Sequence, residues 1–150
     1  MRPRLAPRRP LGACRLRRSG EVWEAVADGG VLVARAPARD AVLTLIRRQG
    51  GCVRTGKAPA TRKALAMGTP FQLRVWAELL RIPRGKAVTY GEVARRLGCR
   101  SPRAVGQAAG ANPLMGLIPC HRLVAAAGPG GFAWGAAAKR RLTRGEAGDA

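Results

Sequence analysis

The sequence predicts an α+β protein. A mainly helical carboxy-terminal part from Met67 onward carries a winged-helix-like helix-turn-helix, and a small lobe of one β-hairpin and one helix precedes it.

 That lobe is short, with the look of a degenerate domain. Three observations predict this division. Apolar residues recur at helical spacing behind three capping sequences after Met67, two β-rich runs flank a Gly-Gly turn before it, and a Gly/Pro-rich stretch lies between. At 150 residues the chain holds one ordinary domain, or a compact domain with a small lobe attached.

Residues 1–20 are rich in Arg and Pro and contain no acid, so they read as a basic disordered arm. Residues 21–66 then form the short lobe and its linker. Val22 to Ala27 and Val31 to Ala34 flank Asp28-Gly29-Gly30 as a hairpin. Residues 39–49 place Val42, Leu45 and Ile46 on one helical face, and Gly50 to Ala66 reads as linker. The brevity and Arg content of this region fit a degraded lobe, a flexible arm or a mis-assigned start alike.

The third segment, 67–150, is better punctuated. Thr69 caps a helix with Pro70 at its first position and Gln72 completing a capping box. Phe71, Val75, Trp76, Leu79 and Leu80 supply its buried stripe, and Ile82-Pro83-Arg84-Gly85 ends it. Thr89 with Glu92 opens a short helix through Leu97. Ser101 caps the next, with Pro102 at its first position, running to about Ala111. Two short helices joined through Gly98 make a helix-turn-helix pattern. Asn112-Pro113 breaks it, an apolar run reaches Ile118, a Gly-rich loop spans 128–135, and Ala136 to Arg144 closes as a basic helix.

The net charge of +20 makes a polyanion the default partner. The plain alternative is that Arg is frequent in GC-rich coding sequence. Before Met67 there are 15 basic and 4 acidic residues, and from Met67 onward 13 and 4, so charge alone locates no binding face. Arg or Pro interrupts every apolar run well short of about 18 residues, which excludes a membrane span. Cys14, Cys52, Cys99 and Cys120 include no C-x-x-C pair, and His121 is the only His. A zinc site and a disulfide framework are both disfavoured, and reduced thiols in the cytoplasm are expected.

Cys120 alone among the cysteines stands beside a base. A Cys after an apolar run is ordinarily a packed small hydrophobe. Here His121 and Arg122 can favour the reactive thiolate. Adjacent side chains diverge, so a water is the natural relay between thiol and imidazole. Such a relay needs an anchor on the far imidazole nitrogen, and the closing helix can bring Glu146 there. The helix after Ser101 is lined by Ala104, Gly106, Ala108, Ala109 and Gly110, with Arg103 in its first turn. An ordinary helix is about 10–12 Å across, too broad for a minor groove about 6 Å wide, and small residues reduce that misfit. Tight helix packing explains the same residues equally well.

The motifs G-T-P-F-Q at 68–72, T-Y-G-E-V-A at 89–94, S-P-R-A-V-G at 101–106, A-N-P at 111–113, I-P-C-H-R-L-V at 118–124 and G-G-F-A-W-G at 130–135 occur in one order. In them the chain, over about residues 67–147, resembles the O6-alkylguanine-DNA alkyltransferases, also known as methylated-DNA–protein-cysteine methyltransferases. The resemblance implies Cys120 as alkyl acceptor, His121 as water-mediated base, Glu146 as the acid orienting it, Asn112 as a brace and Tyr90 as the hydroxyl facing a flipped guanine. It implies Arg103 as the finger filling the gap in the stack, with Ser101, Ala104, Gln107 and Tyr90 also on the DNA, and Leu123, Phe132, Ala133 and Trp134 around the base. Phe132 stands where many members carry Tyr.

The function so implied is direct-reversal repair: a monomer would bind double-stranded DNA containing O6-alkylguanine, or O4-alkylthymine, and move the alkyl group irreversibly to Cys120. No cofactor, metal or membrane is involved in that reading, and the protein would act at the nucleoid, or in a nucleus. Two alternatives are weighed against it. A non-catalytic helix-turn-helix damage sensor or regulator would leave Cys120 incidental. A thiol hydrolase would turn over repeatedly through an acyl-enzyme and has no use for the small-residue helix.

Overall fold

A computed structural model describes residues 1–126 and 136–148. It is α+β, with a six-stranded sheet, a two-stranded sheet and five α-helices among the described residues. The chain divides into two compact units, Met1–Thr69 with Pro113–Leu117, and Pro70–Asn112 with Ile118–Ala150.

The first unit is richer in sheet than the sequence suggests. Its strands are β1 (Arg4–Pro7), β2 (Ala13–Ser19), β3 (Val22–Ala27), β4 (Val31–Ala36), β5 (Cys52–Val53) and β6 (Lys63–Gly68), ordered β1-β6-β4-β3-β2-β5. The expected disordered arm at 1–20 is therefore corrected, because it supplies β1 and β2. Two facts explain this. Cys14 and Leu16 alternate with Arg15 and Arg17 at the period of a strand, and the arginines meet acids from β3 and from the turn that follows it. Arg17 lies opposite Glu24 in the register and 3.0 Å from its carboxylate, and Arg15 lies 3.4 Å from Asp28. The prolines at 3 and 7 fall at the ends of edge strand β1, where a missing N–H costs least.

The linker expected at 50–66 is corrected likewise. Its end forms β6, which runs parallel to both β1 and β4. The hairpin of β3 and β4 is antiparallel, and Gly30 in its turn has φ +76°. A Cβ there would lie 2.3 Å from the Ala60 carbonyl, so only glycine fits. Helix α1 (Arg39–Arg48) buries Val42 and Ile46 and packs on β3, β4 and β5. A substantial sheet thus replaces the short degenerate lobe.

The second unit holds α2 (Pro70–Leu79), α3 (Tyr90–Arg96), α4 (Pro102–Gly110) and α5 (Ala136–Gly148), with β7 (Val88–Thr89) parallel to β8 (Leu123–Val124). Capping fixes two helix starts. The Thr89 hydroxyl accepts from Glu92 N–H at 3.0 Å, and the Ser101 hydroxyl from Ala104 N–H at 3.1 Å. Val75, Trp76 and Leu79 are the buried face of α2, while Phe71 and Leu80 are only half-buried. The Trp76 indole donates to the Ala108 carbonyl at 2.9 Å, tying α2 to α4. Arg74 donates to the Leu97 carbonyl at 2.7 Å at the end of α3. No helix among the described residues is long and apolar enough to cross a membrane.

Candidate active site

The site is assembled where α4 ends. Asn112 follows the C-cap Ala111 of that helix and is fully buried. Its side-chain amide donates to the Ile118 carbonyl at 3.0 Å and to Cys120 Sγ at 3.1 Å. Cys120 opens a short 3-10 turn, Cys120–Arg122, and its thiol donates to the Ala109 carbonyl at 3.1 Å. Sulfur thus gives its one proton to α4 and accepts one from Asn112.

That arrangement holds a thiol. Burial pushes the Cys120 pKa up to about 12, against the opposing pull of the Asn112 hydrogen bond and of Lys139. The expectation that His121 and Arg122 favour a thiolate is therefore corrected for the resting protein. Arg122 is engaged elsewhere, donating to the Ile82 carbonyl at 2.6 Å and to both Glu146 oxygens at 3.0 Å.

His121 is buried, and its Nε2 lies 2.6 Å from Glu146 Oε1. Burial lowers the His121 pKa, outweighing the Glu146 carboxylate, so the imidazole is neutral at pH 7. Burial works to raise the Glu146 carboxyl, but hydrogen bonds from Arg122 and His121 prevail and hold it at about 2. With the imidazole neutral, Arg122 supplies the counter-charge. An ionised Glu146 keeps the ring proton on Nε2 and leaves Nδ1 as an acceptor. Nδ1 is buried and has no hydrogen-bond partner among the described residues.

Tyr90 begins α3, half-buried, and its ring packs beside Gly106 of α4. Burial raises its pKa, with the Cys120 thiol adding to the effect. Lys139 is a residue that the sequence reading missed. It is buried on α5, donates to the Leu123 carbonyl at 2.6 Å and lies 6.0 Å from the centre of the Tyr90 ring. The available signal was spacing, since Lys139 and Glu146 stand seven apart and so share one face of a helix.

The other named residues are dispersed. Arg103 and Gln107 are exposed on α4, Ala104 is half-buried between them, and Ser101 is exposed at the cap. Leu123 is buried in β8. Phe132, Ala133 and Trp134, with the Gly-rich loop, lie outside the described residues. Among the described residues no three His, Cys, Asp or Glu side chains gather as a metal-ligand set would.

Residues 70–148 match the family model described as 6-O-methylguanine DNA methyltransferase, DNA binding domain. The chain belongs to this family. It is 47% identical over 88 residues to a methylated-DNA–protein-cysteine methyltransferase of Saccharolobus islandicus, a match covering 58% of each chain. A methyltransferase of the same description from Lodderomyces elongisporus is 43% identical over 86 residues, covering 55% of this chain and 43% of that one. The chain thus spans little more than half the length of the archaeal relative it matches. Among solved structures, Mycobacterium tuberculosis OGT in complex with DNA is similar with a TM-score of 0.67 and 28% identity, over 92% of this chain and 94% of that one. The O6-methylguanine-DNA methyltransferase of Pyrococcus kodakaraensis gives 0.65 and 26%, over 89% and 98%.

Proposed function

We propose that this protein repairs O6-alkylguanine in duplex DNA by transferring the alkyl group, once and irreversibly, to Cys120. The observation that carries the reading is the imidazole of His121. Glu146 occupies Nε2, and Nδ1 stays buried and open to accept a proton, one residue from the thiol. A water between Sγ and Nδ1 completes a proton path from sulfur.

In this reaction the lesion must leave the stack before sulfur can reach it, and a mispaired alkylated base costs less to extrude. The Cys120 S–H proton passes through the water to His121 Nδ1. Sulfur then forms a bond to the alkyl carbon as the carbon–O6 bond breaks. Guanine departs with the bonding electrons, and the net proton balance returns one hydrogen to its N1. The Tyr90 hydroxyl, directed at the base, stabilises the charge as it develops. The product is a thioether, which no water in the site hydrolyses, so each molecule acts once.

Residues 67–150 form the part directed at DNA. Helices α3 and α4 serve as its helix-turn-helix, α4 enters the minor groove on its small residues, and Arg103 fills the gap left by the base. Ser101, Ala104 and Gln107 lie along the same surface. Leu123 and the segment holding Phe132, Ala133 and Trp134 border the extruded base, with O4-alkylthymine as a second substrate. The protein acts as a monomer wherever chromosomal DNA lies.

Incubation with duplex DNA bearing O6-methylguanine adds one methyl group to the intact protein, on the peptide containing Cys120. Cys120→Ala binds the same duplex and gains no mass. Continued turnover on excess substrate, or methyl transfer in that variant, overturns the proposal.

A further inference from the structure

A cavity of about 770 Å³ opens in the first unit between β1, the loop after it, and strands β4 and β6. Its volume falls in the range of about 300–1,000 Å³ typical of ligand sites. Val31, Leu65 and Met67 form an apolar floor, and Arg4, Arg9 and Lys63 stand around it. Val31 and Leu65 are half-buried, whereas the three cations are exposed.

What sets Arg4, Arg9 and Lys63 apart is their place around an apolar floor, since Arg39 and Arg48 on α1 are also exposed cations without a carboxylate partner among the described residues. In the same unit Arg17 and Arg35 pair with Glu24, and Arg15 with Asp28. No carboxylate among the described residues pairs with Arg4, Arg9 or Lys63. Asp28 is the one acid at the cavity, and Arg15 already engages it. An apolar floor inside a ring of uncompensated positive charge fits a ligand that is acidic outside and apolar at its centre. A nucleic-acid backbone would meet the exposed cations but gain nothing from Leu65 and Val31.

We infer that this cavity docks an acidic peptide segment of a partner protein, seating one bulky apolar side chain on Val31, Leu65 and Met67 with flanking carboxylates on Arg4, Arg9 and Lys63. The inference is independent of the reaction at Cys120.

The probe is a fluorescein-labelled peptide with four Asp flanking a single Phe, read by anisotropy against the full chain. Replacing its Phe by Ser weakens binding at least fivefold. The Arg4→Ser/Lys63→Ser variant loses at least tenfold in peptide affinity, while Arg39→Ser/Arg48→Ser, with the same loss of charge on α1, changes it less than twofold. Equal losses in the two variants would mean attraction by net charge alone, and equal affinity for the two peptides would remove the apolar floor. Either overturns the inference. So does a variant pair whose only loss is in binding of labelled duplex DNA, which would make the cavity a DNA contact. Amide shifts of the unmodified protein give a reading that needs no variant. Peptide should perturb Val31 and Lys63 to Met67 first, and perturbation confined to other residues would place the peptide elsewhere.

Discussion

Replacing Glu146 by Gln removes the charge from a carboxylate that joins three segments of the second unit. Oε1 lies 2.6 Å from both His121 Nε2 and Arg122 Nη2, and the Gly85 N–H donates to Oε2 at 3.4 Å. The carboxyl falls from its ordinary 4.5 to about 2 despite its burial. At about 1.4 kcal/mol for each pH unit, that displacement corresponds to about 3 kcal/mol. The side chain is only 9% exposed, so solvent screening takes little from this figure. The sign follows from the depressed value. The stabilisation is complete above the unfolded value of 4.5 and is lost as pH falls toward 2. At about pH 3 less than half of it remains. Glu146→Gln should therefore cost about 3 kcal/mol at pH 7 and about 1 kcal/mol near pH 3, measured by urea unfolding of both proteins. An equal cost at the two pH values would refute the electrostatic reasoning and leave only a packing defect.

Lys139→Gln removes a cation that lowers the Cys120 pKa, so iodoacetamide should modify Cys120 several-fold more slowly at mildly alkaline pH; an unchanged rate would separate Lys139 from the thiol. Tyr90→Phe should slow methyl transfer at saturating DNA by about tenfold to hundredfold, with binding little altered, and equal single-turnover rates would exclude the hydroxyl from the reaction. Methylation of Cys120 removes the donor to the Ala109 carbonyl and should lower stability by about 1–3 kcal/mol, seen as a drop in Tm of the methylated protein. A Tm equal to that of the unmodified chain would mean that the carbonyl finds another donor.

The helices after Met67 were legible because their signals are local. Thr89 and Ser101 each cap a backbone N–H three residues ahead, and a reader needs only the spacing. The first unit was not, because its evidence is spread along the chain. Arg17 reads as a solvated charge until Glu24 is known to stand across from it. β1 reads as part of an arm because its parallel partner, Leu65 to Gly68, is about sixty residues away. The members of the candidate site could be named one by one. The proton on Cys120 could not, since it depends on burial and on the Ala109 carbonyl.

That proton changes how the site must work. With burial pushing its pKa far above neutrality, the resting sulfur is held as a thiol at pH 7 and is poorly nucleophilic toward stray alkylating agents. The donor–acceptor pair that keeps it protonated involves Ala109, in the last turn of the helix whose first turn bears Arg103. In the proposed reaction, DNA engages that same helix. Any shift of α4 that lengthens the 3.1 Å Sγ–Ala109 contact frees the S–H to turn toward a water on His121 Nδ1. In the proposed reaction such a shift would couple proton removal to engagement of DNA through one backbone carbonyl, with Asn112 still donating to the sulfur as charge builds on it.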